Sequence, residues 1–281
     1  MRSQSEKANM FRGMHMRPGA FVIPNPWDAG SAKLLAGLGF EALATTSAGA
    51  AFALGRRDGE LGRDDALANA AEIAAATDLP VNGDLENLYA DAPDAAAELI
   101  PLAAKAGLVG CSIEDATGRR DDPIYEFEFA VARVKAAVAA ARALPFPFML
   151  TARAENFLHG RADLADTIRR LQAYEAAGAD VVYAPGLGQM EQIHAVLAAV
   201  TRPVNVLVSN GNADMTVAEL SAAGVKRISV GGALARAALG GLLTAAHEIK
   251  TSGTFTYGRT IPGHAVIEKL LTNSSKGGET T

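Results

Sequence analysis

The sequence predicts a (β/α)8 barrel, the TIM-barrel fold, because two kinds of segment alternate along all but its C-terminal tail. Eight short runs rich in β-branched and apolar residues recur, and Ala-rich segments of helical character separate them. No run of consecutive strands breaks this alternation, which is typical of a parallel sheet wrapped by helices. Four of the helical segments end on a glycine just before the next strand, where a left-handed helix cap is favoured. These glycines are Gly39, Gly107, Gly178 and Gly224.

Enough residues for a helix lie between consecutive predicted strands, as repeated β-α units require. The strands cover residues 20–25, 42–47, 80–86, 109–115, 148–155, 180–186, 203–209 and 227–232. A doubly wound open sheet is the alternative. It would normally carry a Gly-rich phosphate-binding turn after the first strand, and the segment PNPWDAGSA at residues 24–32 is not one.

We expect one domain followed by a short extension. Residues 1–250 would form the barrel with a short N-terminal helix, because 281 residues with 49% hydrophobic content can bury one large core. Residues 251–281 are less regular. The segment PGHAVIEKLLT predicts a short helix that packs on the barrel or on a second subunit, and NSSKGGETT predicts a disordered end.

Composition excludes several classes of partner and compartment. A net charge of -5 argues against binding to nucleic acid or to an anionic membrane surface. A single cysteine rules out an intramolecular disulfide framework and suits a reducing compartment. The N-terminal residues lack the continuous apolar region of a secretory signal, and no stretch is long and apolar enough for a membrane helix. We therefore expect a cytoplasmic protein.

Charged residues gather where the predicted strands end, and in a barrel the catalytic groups come from those ends and the loops after them. Asp58 follows strand two, Asp84 and Glu86 end strand three, and Glu114 ends strand four. Strand alternation would place Asp84 and Glu86 on one face. Several carboxylates buried without partners are costly, so a divalent cation such as Mg²⁺ is the expected partner.

Arg153 on strand five would face the same mouth and suits the carboxylate of an anionic substrate, because a guanidinium can donate two parallel hydrogen bonds. The alternative is an arginine–acid network that only holds the mouth of the barrel together. The sequence lacks the residues that three other kinds of catalysis require. No lysine ends a strand for Schiff-base chemistry, the five histidines show no zinc-hydrolase spacing, and no GxSxG motif is present.

Five motifs then resemble one family in order, spacing and strand position, over roughly residues 10–240. They are NPWDAGSAKLLAGLGFEALATTSAG, GDLEN, SIEDATG, TARAENF and YEAAGAD. The chain is similar to the isocitrate lyase/phosphoenolpyruvate mutase superfamily. This resemblance implies a (β/α)8 barrel, a homodimer or homotetramer with a C-terminal helix exchanged between subunits, and a Mg²⁺ ion, with Mn²⁺ as the alternative. It also implies a small anionic 2-oxo acid as substrate.

By position, the resemblance makes Asp84 the principal metal ligand, with Glu86, Glu114 and Asp58 holding the metal directly or through its waters. The turn formed by Thr46, Ser47, Ala48 and Gly49 is similar to the loop that binds the substrate carboxylate, and Arg153 matches the arginine that contacts the same anion. We therefore assign catalysis to Arg153, Ser47 and Asp58. From the residues alone, Trp27 is either a substrate wall or a core aromatic, and Asn205 either lines the pocket or pairs with backbone.

The departures from the family pattern direct the choice of reaction. The lyase branch carries a Lys-Arg-Cys-Gly-His loop after strand four, and this chain has ATGRRDDPIYEFEF there, without cysteine. Cys111 should face the helices as a packing residue. The usual second aspartate of strand three is Glu86, and strand six reaches Pro185 where other members have Glu or His.

Loss of CO₂ needs no strong protein acid, so we expect C–C bond cleavage or decarboxylation of an oxaloacetate-like 2-oxo acid through a metal-stabilised enolate. The alternatives are a mutase or hydrolase of phosphonopyruvate, and a 2-oxo acid binding protein with little turnover.

Overall fold

The computed structural model describes residues 1–273 and confirms the (β/α)8 barrel. Eight parallel strands lie in the order β1-β8-β7-β6-β5-β4-β3-β2. The Ala44 amide donates to the Pro24 carbonyl at 3.1 Å, which brings the two ends of this sheet together and nearly closes the barrel. The strands are β1 Phe21–Ile23, β2 Leu43–Ala44, β3 Val81–Gly83, β4 Gly110–Glu114, β5 Met149–Arg153, β6 Val181–Tyr183, β7 Val204–Leu207 and β8 Arg227–Ser229.

Helices surround the sheet in the predicted alternation. They are α1 Gln4–Met16, α2 Ala29–Gly37, α3 Ser47–Ala53, α4 Arg63–Ala76, α5 Pro93–Ala97, α6 Leu99–Lys105, α7 Phe127–Arg142, α8 Leu164–Ala176, α9 Met190–Ala199, α10 Val217–Ala223, α11 Ala233–Ser252 and α12 His264–Asn273. The four glycines before strands all have the predicted left-handed conformation, with φ between 90° and 103°. They end the helices where the chain turns back into the sheet.

The core lies between the sheet and its helices, where alanines allow close packing. Cys111 is fully buried within this core, as predicted, and burial raises the pKa of its thiol. Gly110 shows how tightly the sheet packs, since a β-carbon there would lie 2.5 Å from the carbonyl oxygen of Met149. This packing fixes the positions of the strand ends, and therefore of the site.

The C-terminal extension contains the predicted helix. Within this one chain, α12 packs against α2 of its own barrel, and a β-carbon on Gly37 would lie 2.3 Å from the carbonyl oxygen of Leu270. Exchange of this helix between subunits stays a prediction. Helix α11 runs through the predicted boundary at residue 250. The predicted disordered end falls mainly on residues 274–281, outside the described residues.

None of the helices within residues 1–273 is long and apolar enough to cross a lipid bilayer.

Candidate active site

A cavity of about 190 Å³ opens at the carboxyl ends of the strands, where the sequence predicts the site. It is a mixed polar and apolar space that suits a small acid. Of the predicted site residues, those that line it are Thr46, Ser47, Ala48, Asp58, Asp84, Arg153 and Asn205. The four that do not line it are Trp27, Gly49, Glu86 and Glu114. The structure therefore brings most of the predicted residues together around one space.

The turn between β2 and α3 is built around Asp84. Thr46 caps the helix by accepting a hydrogen bond from the Gly49 amide at 3.3 Å. The Ser47 amide and hydroxyl both donate to Asp84 Oδ2, at 3.0 and 3.1 Å. A β-carbon on Gly49 would lie 2.9 Å from Trp27 Cβ. Trp27 thus packs behind this turn instead of on the cavity, and only glycine allows that approach.

Arg153 joins three carboxylates at the cavity wall. It contacts Asp84 at 2.7 Å, Glu155 at 2.8 Å and Glu114 at 3.2 Å, and its side chain is only 13% exposed. Burial raises the pKa of Glu114 and of Glu155, and Arg153 opposes both shifts. Burial alone would lower the pKa of Arg153, but Glu155, Glu114 and Asp84 together raise it well above its usual value. Removal of this one cation would leave three acids without a counter-charge.

Glu86 lies on a loop after β3 and not on the strand that the sequence predicts. β3 ends at Gly83, so strand alternation does not extend to Glu86, and that part of the sequence argument is wrong. Glu86, Leu88 and Tyr89 all adopt positive φ, at 48°, 61° and 55°. Left-handed backbone at three non-glycine residues is strained, and such strain often occurs at functional sites. The loop instead of the strand determines where the Glu86 carboxylate points.

The acids Asp58, Asp84 and Glu86 interact with one another. Burial, followed by the charges of Asp84 and Asp58, raises the pKa of Glu86 to about 7. Burial and then Asp84 raise the pKa of Asp58. Glu86 Oε1 is also buried and has no hydrogen-bond partner. A carboxylate oxygen without a partner, among acids that disfavour one another's ionisation, needs either a proton or a cation.

These residues fit a Mg²⁺ ion held by few direct carboxylates. Within residues 1–273, no group of three or more His, Cys, Asp or Glu side chains could hold an ion by itself. Mg²⁺ usually takes one or two direct carboxylates and keeps several waters. Asp84 lines the cavity, and the unpartnered oxygen of Glu86 could accept a hydrogen bond from a bound water. The donor set therefore suits water-mediated more than all-protein coordination.

Replacement of Glu86 by glutamine is expected to flatten the pH dependence of stability in metal-free protein. The folded chain keeps a proton on Glu86 up to about pH 7, whereas the unfolded chain releases it near the ordinary glutamate pKa of about 4.3. The free energy of unfolding should therefore fall as pH rises between these values. Urea unfolding at pH 5, 6 and 7 measures this slope. The exposed Glu128→Gln is the control, and an identical slope in both variants would contradict the prediction.

The cavity-lining residues that were not assigned from the sequence include Tyr183, Arg227 and Ser229. These three lie on β6 and β8, and strand register places Tyr183 between Arg153 and Asn205. The sequence could have indicated Tyr183, because it lies two residues before Pro185. Strand alternation would place both side chains on the same face of the predicted sixth strand. Asp115 has a structural role. It accepts hydrogen bonds from the Glu155 amide at 2.8 Å and the Tyr174 hydroxyl at 2.6 Å.

Known relatives agree with this fold. The family model described as phosphoenolpyruvate phosphomutase matches residues 11–250. A protein of Mycobacterium tuberculosis, whose function is uncharacterized, is 33% identical over 85% of this chain and 87% of its own length. An oxaloacetate decarboxylase of Ectopseudomonas mendocina is 28% identical over 76% of this chain and 73% of its own.

Two solved structures extend the likeness to three dimensions. A Burkholderia cenocepacia J2315 protein, provisionally assigned as a lyase or mutase, is 58% identical with a TM-score of 0.92 over 95% of each chain. An oxaloacetate acetylhydrolase in complex with the product oxalate is 25% identical with a TM-score of 0.85, over 99% of this chain and all of that one. With the family model matching most of the sequence, the chain belongs to the phosphoenolpyruvate mutase/isocitrate lyase superfamily and is a lyase-type enzyme.

Proposed function

We propose that the chain is a Mg²⁺-dependent lyase of a small oxaloacetate-like 2-oxo acid, which it cleaves at a C–C bond, most simply by decarboxylation, through an enolate. The observation that supports this most is the pairing of Asp84 with the Ser47 turn on one side and with Arg153 on the other, at the cavity. The oxaloacetate decarboxylase and oxaloacetate acetylhydrolase relatives support the same substrate class.

Each residue has a proposed task. Asp84 would bind the ion directly, and Glu86, Glu114 and Asp58 would hold its waters. When bound, Mg²⁺ supplies positive charge for the oxygens of the 2-oxo acid. Ala48 lies on the cavity at the start of α3, so its backbone amide would bind the substrate carboxylate, whereas the Ser47 amide already donates to Asp84 Oδ2. Arg153 would contact the same anion.

Decarboxylation does not require the protein to protonate the leaving group, because the leaving group is CO₂. When CO₂ leaves, the electrons of the broken bond form the enolate, which fixed positive charge in the cavity stabilises. The segment after β4 contains no cysteine to protonate a larger leaving group. There, Arg119 pairs with Asp91 at 3.1 Å and with Asp122 at 3.3 Å, so its charge is already balanced. This arrangement favours loss of CO₂ over retro-aldol cleavage.

A panel of 2-oxo acids tests the proposal. Purified protein, with and without Mg²⁺ or Mn²⁺, is incubated with oxaloacetate, 2-oxoglutarate and phosphonopyruvate. We expect metal-dependent pyruvate and CO₂ from oxaloacetate, measured by coupled enzymes against the metal-only background. Phosphate or phosphoenolpyruvate from phosphonopyruvate would instead support the P–C bond alternative. Tight metal-dependent binding with no product from any acid would support a binding protein.

We also propose a homo-oligomer. Only Ala235 is buried along the 20 residues of α11, while Leu242 and Leu243 are 63% and 67% exposed. Adjacent exposed leucines on a long helix suit contact with a second copy of the chain. The helix exchange that the family resemblance implies would use the neighbouring extension.

A further inference from the structure

Four neighbouring strands place a row of polar side chains along the cavity. Strand register pairs Arg153 with Tyr183, Tyr183 with Asn205, and Asn205 with Arg227. All four residues line the cavity. The Arg153 guanidinium carbon lies 5.2 Å from the centre of the Tyr183 ring. Tyr183 thus has a phenol on the cavity beside a cation, and the proposed function gives it no task.

The hydrogen bonds behind Tyr183 run in one direction. Arg227 Nε donates to Asn205 Oδ1 at 2.9 Å, and Asn205 Nδ2 donates to Ser229 Oγ at 2.9 Å. Ser229 and Tyr183 both line the cavity, so this chain of hydrogen bonds ends on the same space as the phenol. Because Ser229 Oγ accepts from Asn205, its own proton remains available to another acceptor.

This chain of hydrogen bonds begins at Arg227, a buried cation that has no carboxylate partner among the described residues. Arg227 is 4% exposed, and within residues 1–273 no carboxylate forms a salt bridge with it. Burial lowers the pKa of Arg227 to about 10, which still leaves it charged at neutral pH. Its positive charge interacts electrostatically with Tyr183, and a nearby cation favours the phenolate that proton donation leaves.

The surroundings of Tyr183 suit a side chain that donates a proton. Burial raises the pKa of Tyr183 to about 12, while Arg153 and Ser229 oppose that shift. The phenol is thus protonated at neutral pH, and the two groups that oppose the shift are those that would stabilise a phenolate. The other ionisable acids on the cavity, Asp58 and Asp84, belong to the proposed ion site. No histidine is among the residues that line it.

We propose that Tyr183 is the catalytic acid that protonates C3 of the enolate, in place of the cysteine that the chain lacks. This inference rests on the proposed function. After CO₂ leaves, the phenol O–H bond breaks and a C3–H bond forms, which converts the enolate to the 2-oxo acid product. The tyrosine is left as a phenolate beside Arg153, and water returns its proton. No oxidant or reductant is needed.

The test separates proton transfer from bond cleavage. The exchange of pyruvate C3 hydrogens for deuterium, catalysed by the protein with Mg²⁺ in D₂O, is followed by NMR. CO₂ release from oxaloacetate is measured in parallel. In Tyr183→Phe the exchange rate should fall about a hundredfold, within the range for loss of an acid catalyst. CO₂ release should fall by less, because the bond breaks before C3 is protonated.

Two further variants complete the test. Ser229→Ala keeps the phenol and removes a hydroxyl that favours its phenolate, so we expect a loss of exchange no larger than about tenfold, the effect of one good hydrogen bond. Tyr257→Phe changes a tyrosine outside the cavity and should behave as wild type. Ser229→Ala also tests the surroundings of the phenol in a protein that retains Tyr183, should the phenylalanine variant fail to fold.

Two results would overturn this inference and leave the proposed function intact. The first is an exchange rate in Tyr183→Phe within about twofold of wild type, a change too small for the loss of an acid catalyst. The second is an equal loss of exchange and of CO₂ release, which would indicate a structural role. Wild-type protein that catalyses neither reaction would overturn the proposed function, and the role of Tyr183 with it.

Discussion

Replacement of Asp84 by alanine is expected to lower the metal-dependent cleavage of oxaloacetate by about a thousandfold or more, since a catalytic cation contributes several kcal/mol of transition-state stabilisation. Asp84 lines the cavity and accepts from the amide and hydroxyl of Ser47 as well as from Arg153. Steady-state rates across a Mg²⁺ titration measure the effect. The residual activity should no longer respond to the ion.

Asp180→Ala is the matched control for Asp84→Ala. Asp180 is also a partly buried acid that pairs with an arginine, Arg142 at 2.7 Å, and it accepts from the Leu150 amide. It does not line the cavity, so its loss should reduce stability without changing the Mg²⁺ response. If Asp84→Ala kept both its rate and its metal dependence, the whole assignment of the site would be wrong.

Replacement of Arg153 by methionine is expected to lower the free energy of unfolding by about 3–5 kcal/mol at neutral pH, the cost of leaving buried charges without their partner. Arg153 is the cation shared by Asp84, Glu114 and Glu155. The loss should shrink as pH falls, because burial raises the pKa of Glu114 and Glu155 in the folded chain. The folded state then holds protons that the unfolded state has lost, so stability falls with rising pH.

Urea unfolding of Arg153→Met from pH 5 to pH 8, without metal, measures both effects. Arg17→Met is the control, because Arg17 pairs with Glu41 at an exposed position. Such a pair contributes less than about 1 kcal/mol. An Arg153→Met protein as stable as this control at neutral pH would show that the three acids are not held by that guanidinium.

The barrel and most of the cavity wall were predictable from sequence. Glycines before the strands and residues at strand ends obey local rules, and these rules led to Asp84 and Arg153. The turn at residues 46–49 was expected only from the family resemblance. Glu86 shows where local rules fail. Three left-handed residues after β3 redirect the chain, and non-glycine residues give little sign of such strain in a sequence.

Tyr183 and Arg227 were missed for another reason. A tyrosine in an apolar strand and an arginine at the start of another resemble ordinary core and surface residues. Their meaning depends on which strands are neighbours, and only the register of β5 to β8 shows it. Trp27 is a similar case, since its position behind Gly49 follows from a packing distance.

The proposed function requires that one site binds Mg²⁺ and the substrate acid together. Calorimetric titration of Mg²⁺ into the protein, with oxalate present and absent, is the most direct test of this requirement. We expect one ion per chain, oxalate that binds only together with it, and no ternary complex in the Asp84→Ala protein. Oxalate that binds equally well in a chelator, or Mg²⁺ that binds equally well to Asp84→Ala, would contradict the account.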